Sequence, residues 1–600
     1  MTERKVRIGS ASAFWGDTPE AFGQLLTVPD LHYLVGDYLA EVTMSLLARA
    51  KMKEPSKGYV PDFVEAAAPH LRVIAERNIK VVVNAGGLNP AGCREALHAA
   101  AESAGVSLRI ATVEGDDLMP QADTIRATEP TEMFSADPFP AQPISMNAYL
   151  GATPIARALG MGAQVVITGR CNDAAMVLGP LMHEFDWSED EYDRLAAGSL
   201  AGHLIECGPQ CTGGAFTDWE TVPGWDNMGF PVAECAADGT FVITKPAATG
   251  GMVTPATVGE QLLYEIGDPA AYILPDVVCD LTRVQLRQTG DDRVEVRGAR
   301  GLPPTPHYKV STTYADGYRV VGTLMIAGAE AGRKARRVAE SILQRVRRLA
   351  AGRGFDDFAE TSVEVIGDED NFGALRQISS AREVVVKVAA RHAQKAPLAL
   401  LGREFIASAT SSAQGVTGIF GGRPRPSPII RLFSFLIDKS AVPIVIRMDG
   451  QIVPVTMAEG KPLELAHEAA SRPTFEPSGD TVLVPLRKLA LARSGDKGNK
   501  ANIGIIARRE EYLPLLRSAL TPAMVKGSLS HFVCGEVERF ELPGMHAFNF
   551  LLHDALGGGG IASLRYDPQG KSMGQIFLES LIAVPRAWMS DEDIGIEGGS

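Results

Sequence analysis

The segment AGHLIECGPQCTGG, residues 201–214, concentrates side chains that can do acid–base or metal chemistry. His203 and Glu206 are three residues apart, a spacing that places both on one face of a helix. An imidazole beside a carboxylate is typical of a general base with its orienting partner, so we predict catalytic roles for both. Cys207 and Cys211 extend the possible ligand set to zinc, but their spacing is unusual for zinc and we predict no metal. Structural polar groups with satisfied hydrogen bonds are the alternative interpretation.

A second concentration of polar side chains, ARSGDKGNKANIGI at residues 492–505, lies between two strand patterns near the C-terminus. Its glycines would let backbone amides form a concavity that receives an anion, and Lys497 adds positive charge. Asp496 beside Lys497 could equally be a proton-transfer pair, so we assign these two residues to catalysis. The segment also supplies four predicted substrate-binding residues: Arg493, Ser494, Asn499 and Asn502.

Glycine pairs between a strand and a helix form a further group of candidates. In NAGGLNPAG and in TGGMVTPATVGEQ, a glycine pair comes before a capping residue and a proline suited to the first helical turn. Free amides at such helix starts attract phosphate or carboxylate groups, and a purely structural tight turn is the alternative. Neither pattern is the motif of a dinucleotide site or a P-loop. The predicted substrate-binding residues here are Asn84, Gly86, Gly87, Asn89, Gly250 and Gly251.

Two sequence segments place an arginine where its guanidinium could hold a carboxylate or phosphate. Arg170 and Asp173 follow a buried strand pattern in TGRCND, and they would either bind substrate or form an ion pair that shapes the loop. Arg423 lies in the loop TSSAQGVTGIFGGRPRPSP, which would be a lid, an anion cradle or a plain connection. We include Arg170, Asp173 and Arg423 among the predicted substrate-binding residues.

Five β-branched runs alternate with helical patterns in the first third of the chain, which predicts an α/β region with a mostly parallel sheet and crossover helices. The predicted strands span residues 5–9, 32–35, 80–83, 106–111 and 164–167. Loops after parallel strands meet at one sheet edge, where open α/β folds bind ligands. From residue 231 to about 460 the pattern predicts an α+β region of antiparallel strands separated by turn residues. Within it, residues 331–350 form a basic amphipathic helix, either a solvated face or a patch for a phosphorylated ligand.

A proline-containing linker, RPTFEPSG at residues 472–479, separates two predicted units. These are a body of residues 1–471, with a possible subdivision near 231–240, and a small α+β domain of residues 480–590 with helices on one sheet face. We call the second unit the tail. Its predicted strands are 486–492, 503–508, 536–542 and 562–566, with helices up to 531, at 548–556 and at 574–582. We expect the 493–502 loop to face the carboxyl edge of the N-terminal sheet, because neither set of loops alone offers an acid, a base and an anion cradle.

The composition limits the possible partners and compartment. The 600 residues include 58 Lys and Arg against 72 Asp and Glu, a net charge of −14, which disfavours nucleic-acid and anionic-membrane binding. No apolar run approaches the ~18 to 20 residues of a membrane span, and the N-terminus lacks a signal-peptide pattern. Seven cysteines without a CxxC pair are typical of a reducing compartment. We therefore expect a cytoplasmic protein with no membrane partner and, because most cytosolic enzymes assemble so, a homo-oligomer.

These segments together resemble the acyclic terpene utilization protein AtuA family. The resemblance of the body rests on RIGSASAFWGD, HYLVGDYLAEVTM, NAGGLNP, TGRCND, GHLIECGPQCTGG and TGGMVTPATVGEQLLYEIGDP. The tail, through ARSGDKGNKANIGIIAR, resembles the ferredoxin-like domain appended in that family. In the family the position of Cys211 is often a small residue such as alanine, which further weakens a zinc site there.

The resemblance implies a catabolic enzyme that acts on branched acyl-CoA thioesters from acyclic terpenes, with coenzyme A as part of the substrate and no other cofactor. It implies a hydratase or hydro-lyase that adds or removes water at an unsaturated thioester. His203 and Glu206 would supply acid and base, while glycine amides would receive the enolate or the pyrophosphate. The alternatives are a carbon–carbon lyase or acyltransferase on such thioesters, and a non-catalytic binding or scaffold subunit.

Overall fold

The computed structural model describes residues 4–465 and 472–590 of the chain. Short β-branched runs such as KVVV at residues 80–83 form strands, and amphipathic segments between them form helices. The elements of the first part are β1 (Lys5–Ser10), α1 (Glu20–Leu25), β2 (Tyr33–Gly36), α2 (Glu41–Lys53), α3 (Pro61–Ala67), α4 (Leu71–Glu76), β3 (Lys80–Val83), α5 (Pro90–Ser103), β4 (Ile110–Glu114), α6 (Ala122–Arg126), β5 (Pro143–Ala148), α7 (Thr153–Gly160), β6 (Val165–Thr168), α8 (Ala175–Phe185) and α9 (Tyr192–Glu206).

The middle of the chain consists mainly of antiparallel strands. Its elements are β7 (Val232–Ala236), β8 (Phe241–Thr244), α10 (Pro255–Leu263), β9 (Tyr272–Ile273), β10 (Val278–Asp280), β11 (Gln285–Gly290), β12 (Arg293–Arg297), β13 (Arg300–Leu302), β14 (His307–Ala327), α11 (Ala331–Ala351), β15 (Glu360–Ile366), β16 (Glu383–His392), α12 (Lys395–Ser411), β17 (Val416–Phe420), β18 (Ser427–Asp438), β19 (Ile444–Met448) and β20 (Gln451–Val455). Within the described ranges, no helix combines the length and the apolarity needed to cross a bilayer.

The tail forms a small α+β unit. Its elements are β21 (Thr481–Pro485), β22 (Ala490–Lys497), β23 (Lys500–Ala507), α13 (Leu513–Ala519), α14 (Pro522–Ser528), β24 (Val537–Leu542), β25 (Ala547–Leu552), α15 (Met573–Phe577) and β26 (Leu581–Pro585).

The five strands predicted in the first third form the parallel centre of the largest sheet, in the order β1-β2-β3-β6-β4. β7 pairs antiparallel with β1 at one edge and β19 pairs antiparallel with β4 at the other, and further antiparallel strands extend both edges to eleven strands. The prediction of a mostly parallel sheet therefore holds for the centre and is wrong for the whole sheet. The reason is that short hairpins, such as residues 237–240, join the outer strands and allow antiparallel neighbours without a crossover helix.

β14 is a strand of 21 residues that pairs with β5 from the first part and with β16, β17 and β18 from the middle. Asp316 and Gly317, whose types predict a turn, lie at a register shift inside this strand, so they bend it without ending it. The predicted basic helix is α11, whose apolar stripe packs on this second sheet. Its Arg336 pairs with Asp368 at 2.6 Å, so part of its charge is neutralised by acidic neighbours.

The tail sheet is antiparallel, in the order β22-β23-β25-β24, and the tail helices pack on one of its faces. The helix predicted at 548–556 is wrong, because residues 547–552 form β25. Phe548 and Phe550 face the tail core while Asn549 is buried on the opposite face, so burial on both sides conceals the alternation that marks a strand. The strand predicted at 562–566 is also wrong, since a short 3₁₀ turn and a loop occupy that segment.

The second face of the tail sheet packs on α10 of the body. A Cβ atom on Gly504 would lie 2.4 Å from Leu263 Cβ, and one on Gly495 would lie 2.6 Å from the Tyr264 ring. Only glycine therefore permits β22 and β23 to lie this close to the end of α10. This contact fixes where the β22–β23 hairpin stands relative to the body.

Candidate active site between the body and the tail

The carboxyl ends of β2, β3 and β6 bring together the first groups of the candidate site. Asp37 follows β2, and Arg170 and Asp173 follow β6, at the edge where parallel sheets bind ligands. The Asn84 amide donates to Asp37 Oδ1 at 2.5 Å and holds that carboxyl in place. Arg170 is 4% exposed, pairs with the Asp173 carboxylate and donates to the Cys171 carbonyl at 2.8 Å. The predicted residues Asn84, Arg170 and Asp173 therefore lie together.

The C-terminal end of α9 adds His203 and Glu206 to this edge. His203 Nδ1 lies 3.3 Å from Glu206 Oε1, and its Nε2 lies 3.2 Å from the Leu262 carbonyl oxygen. Because a carbonyl can only accept a hydrogen bond, Nε2 carries the ring proton and Nδ1 is left as an acceptor. His203 is 2% exposed, so both of its nitrogens are committed inside the protein.

Lys497 of the tail lies across from these groups. Its Nζ is 5.9 Å from the centre of the Tyr272 ring, which in turn lies 5.4 Å from the His203 ring. Electrostatic or ring contacts connect five residues here, and each of the five keeps part of its surface accessible to solvent. We call the place where Asp37, Asp173, Glu206, Tyr272 and Lys497 come together the recess.

Two carboxyl groups of the recess have strongly raised proton affinity. Burial, and next the negative charge of Asp173, raise the pKa of both Asp37 and Glu206 well above the ordinary values. Burial, and next the charge of Lys497, lower the pKa of His203 to about 4. The imidazole is therefore neutral at physiological pH, and a protonated Glu206 can donate to its Nδ1.

These protonation states bear on the two roles that we predicted at α9. We predicted His203 as the general base and Glu206 as its orienting partner. His203 has no ring nitrogen free to reach the recess, whereas Glu206 borders the recess and holds a titratable proton. The geometry therefore favours Glu206 as the acid–base group and His203 as the residue that positions it.

The cysteines of this segment are thiols inside the protein. Burial, and next the charge of Glu206, raise the pKa of Cys207 well above its ordinary value. Burial also raises the pKa of Cys211, so both side chains are protonated at neutral pH. Cys211 lies in the main hydrophobic core. Among the residues that the structure describes, no three His, Cys, Asp or Glu side chains are placed to share a metal ion.

A second charged cluster joins the tail to the body beside the recess. Lys571 of the tail lies 2.8 Å from Glu265 and 3.4 Å from Asp496, and its Nζ also contacts the Tyr264 hydroxyl. The charges of Lys571 and Lys497 oppose the effect of burial and hold the pKa of Glu265 below its ordinary value. Asp496, predicted as catalytic, is thus an ion-pair partner at the rim.

The other predicted residues of the β22–β23 hairpin hold the tail in position. Asn502 Nδ2 donates at 2.6 Å to the last carbonyl of α10, and Arg493 donates at 3.0 Å to the Ala215 carbonyl. Ser494 donates at 2.6 Å to the loop before α15, and Asn499 donates at 2.8 Å to Asp554 inside the tail. The expectation that this hairpin faces the carboxyl edge of the N-terminal sheet is confirmed, because Lys497 interacts with Glu206 there.

The glycine pairs predicted as anion receivers have structural roles. The Gly250 and Gly251 amides donate at 2.7 Å to the carbonyls of residues 227 and 223, so neither N–H is free for a ligand. Gly87 N–H donates to the Asn84 carbonyl at 3.2 Å, and a Cβ on Gly86 would lie 2.5 Å from the Thr168 carbonyl oxygen. The amides of Gly87, Gly250 and Gly251 are therefore already bonded, and Gly86 stands where close packing excludes a side chain.

Two further predicted residues lie outside the recess. Asn89 caps α5 as predicted, since its Oδ1 accepts from Gly92 N at 3.0 Å, and its amide is bonded to carbonyls of residues 55–57. Arg423 is exposed in the loop between β17 and β18, beside α12, and belongs to a different part of the fold.

Four residues of the site were missed from the sequence. Asp37 had a usable signal, because it is the first acidic residue after a predicted strand at the carboxyl edge. Glu265, Tyr272 and Lys571 had no local signal, because long-range packing alone brings them to the recess and its rim.

Comparison with known protein families identifies two matching models. The model described as acyclic terpene utilisation family protein AtuA matches residues 6–448, and the model described as AtuA ferredoxin-like domain matches residues 484–583. No curated protein and no solved structure gives a significant match.

Proposed function

Because the chain belongs to the acyclic terpene utilisation AtuA family, we propose that it is a hydratase, or hydro-lyase, of branched acyclic acyl-CoA thioesters. The observation that carries the proposal is the pair of partly buried carboxyl groups, Asp37 and Glu206, whose pKa values are both raised at the recess. Reversible addition of water needs one group that takes a proton and one that gives a proton on the same substrate. Two carboxyls at one site can fill both roles when one is charged and the other is protonated.

The proposed step starts with one of the two carboxyls charged and the other protonated. The charged member of the pair takes a proton from water while the water oxygen bonds to the β-carbon of the unsaturated thioester. The protonated member gives its proton to the α-carbon. One O–H bond and the C=C π bond break, one C–O and one C–H bond form, and the pair ends with the same number of protons. Dehydration follows the reverse path.

Lys497 would stabilise the charge that develops during this step. Addition at the β-carbon moves electron density to the thioester oxygen, and a nearby ammonium group stabilises that negative charge. Lys497 is the cation of the tail that faces Glu206 and Tyr272. The tail would therefore contribute to the reaction itself as well as to the fold.

The state of Cys207 favours hydration over acyl transfer through a covalent cysteine intermediate. A thiol attacks a thioester as the thiolate, and a pKa raised by burial and by Glu206 keeps Cys207 protonated. A carbon–carbon lyase and a binding role give other results in the same experiment, which therefore distinguishes them.

The test is turnover of a panel of branched enoyl-CoA and 3-hydroxyacyl-CoA thioesters, read by mass spectrometry. We expect a product that differs from its substrate by one water. A product that has lost a carbon fragment would replace hydration by cleavage. Tight binding of the thioesters without any turnover would support a binding subunit instead.

The variant Glu206→Gln links the activity to the recess. Glutamine has the same shape and can still donate to His203 Nδ1, so the fold should be kept while the transferable proton is lost. We expect kcat to fall by about 10²- to 10⁴-fold with little change in KM. Glu95→Gln, at an exposed position on α5, is the matched control and should have wild-type kinetics. Wild-type turnover by Glu206→Gln would remove the recess from the proposal.

A further inference from the structure

α2 covers a polar face of the second sheet. It contacts β5, β14 and β18, the three strands that lie side by side there. One face of these strands belongs to the main hydrophobic core, where Ala148, Val310 and Phe435 are paired in register. The opposite face is therefore the one against which α2 lies.

That opposite face carries a row of polar residues across the three strands. Asn147 of β5 and Ser434 of β18 are both paired in register with Ser311 of β14. All three are buried beneath the sheet surface, with 1%, 7% and 7% exposure. We call Asn147, Ser311 and Ser434 the polar row.

Three buried oxygen atoms of α2 and the polar row have no hydrogen-bond partner among the described residues. Ser45 of α2 is 1% exposed, and its Oγ has no hydrogen-bond partner in the described part of the chain. The same holds for Asn147 Oδ1 and for Ser311 Oγ. A buried oxygen without a partner costs about 1–3 kcal/mol, and internal water is the usual way in which proteins recover that energy.

The polar row is linked by contacts to the recess. Asn147 Nδ2 donates at 2.9 Å to Asp116 Oδ2, which also accepts from the Arg170 backbone N–H at 2.7 Å. The Arg170 guanidinium pairs with Asp173 at the recess, and its buried Nε also has no partner among residues 4–465 and 472–590. α2 itself begins four residues after Asp37. Hydrogen bonds and one ion pair therefore join Asn147 of the polar row to Asp173 at the recess.

We propose that ordered water occupies the space between α2 and the polar row and supplies the recess through Asp116 and Arg170. Each such water would bond to two or more of the oxygens named above. The supply role rests on the proposed hydratase function, because that reaction consumes or releases one water in each turnover. The water site itself does not depend on the reaction.

A crystal structure of the full chain, at a resolution that reveals ordered water, tests the site directly. We expect water within about 3 Å of Ser45 Oγ, Asn147 Oδ1 and Ser311 Oγ. A dry interface, or one in which these oxygens bond directly to protein groups, would overturn the proposal whatever the protein catalyses. This arm separates a failed water site from a failed hydratase function.

The supply role is tested by Ser311→Val, which replaces the hydroxyl by an apolar side chain. We expect kcat for hydration to fall about tenfold, the equivalent of one lost hydrogen bond, with KM unchanged. Thr312→Val is the matched control: the neighbouring residue of β14 is fully buried on the core face, and it should keep wild-type kcat. Should Ser311→Val fold poorly, Ser45→Ala removes one water ligand from the other side, with an expected twofold to threefold fall. Wild-type hydration by a folded Ser311→Val or Ser45→Ala variant would refute the supply role.

Discussion

The substitution Gly504→Ala tests whether the docked position of the tail matters to the recess. The new Cβ would lie 2.4 Å from Leu263 Cβ. Since carbon atoms in contact need about 3.5 Å, β23 must withdraw from α10 by about 1 Å. The strain should lower the free energy of unfolding by about 1–3 kcal/mol. A displacement of that size at a reacting group can reduce kcat about 10²-fold, so we expect a loss of this order while the tail remains folded.

Two measurements check this prediction. Hydration kinetics report the loss of kcat, and hydrogen exchange reports docking without any assumption about the reaction. The Glu265 N–H donates to Asn502 Oδ1 at 3.0 Å, so its exchange should accelerate when β23 withdraws. Gly527→Ala in α14 is the control, because its Cβ would meet open space and the helix should gain up to about 1 kcal/mol. Unchanged kcat and unchanged Glu265 exchange in Gly504→Ala would refute the reasoning.

Three further predictions concern stability and pH. Asn549→Ala should lower the free energy of unfolding by about 2 kcal/mol. The Asn549 amide donates at 3.0 and 2.6 Å to two carbonyls of the body, which would lose their partner. Urea titrations measure the loss, and a loss near zero would contradict this prediction. Burial raises the pKa of Glu260 to about 8, so the folded protein binds this proton more tightly than the unfolded chain and loses stability as pH rises from about 4.5 towards 8. The free energy of unfolding of Glu260→Gln, measured relative to wild type, should therefore be about 3 kcal/mol higher at pH 8 than at pH 5. A difference between the urea midpoints of the two proteins that does not change with pH would contradict this. Lys497→Met removes a charge that lowers the pKa of Glu206, so the pH–rate profile should move to higher pH, whereas Lys526→Met on the exposed face of α14 should leave it in place.

Local sequence patterns predicted the elements whose cause is local. Four strands of the parallel centre and the caps of α5 and α10 agree with the structure, because β-branched runs and capping residues act within a few neighbours. The fifth strand, β4, begins four residues later than predicted. The predicted helix at 548–556 failed for a non-local reason. The body buries Asn549 on one face of β25, and the tail core buries Phe548 and Phe550 on the other. The segment therefore lacks the alternation of buried and exposed residues that marks a half-exposed strand.

The sequence predicted which side chains form the candidate site better than it predicted the role of each. His203, Glu206 and Lys497 were found from their types and spacing, and the structure places them together. Their roles depend on the Leu262 carbonyl and on the burial of each carboxyl, neither of which the sequence displays. Lys571 could not be predicted, because 306 residues separate it from Glu265, its partner in the body.

The separation of Lys497 from the rest of the recess by a chain linker also bears on how tightly the tail must bind. Covalent connection replaces an encounter between two molecules by one within a single molecule, with an effective concentration on the order of millimolar. An interface that would be too weak for two independent proteins is then sufficient to keep the lysine in place most of the time. The linker therefore keeps Lys497 near the recess at a local concentration that does not depend on how dilute the protein is.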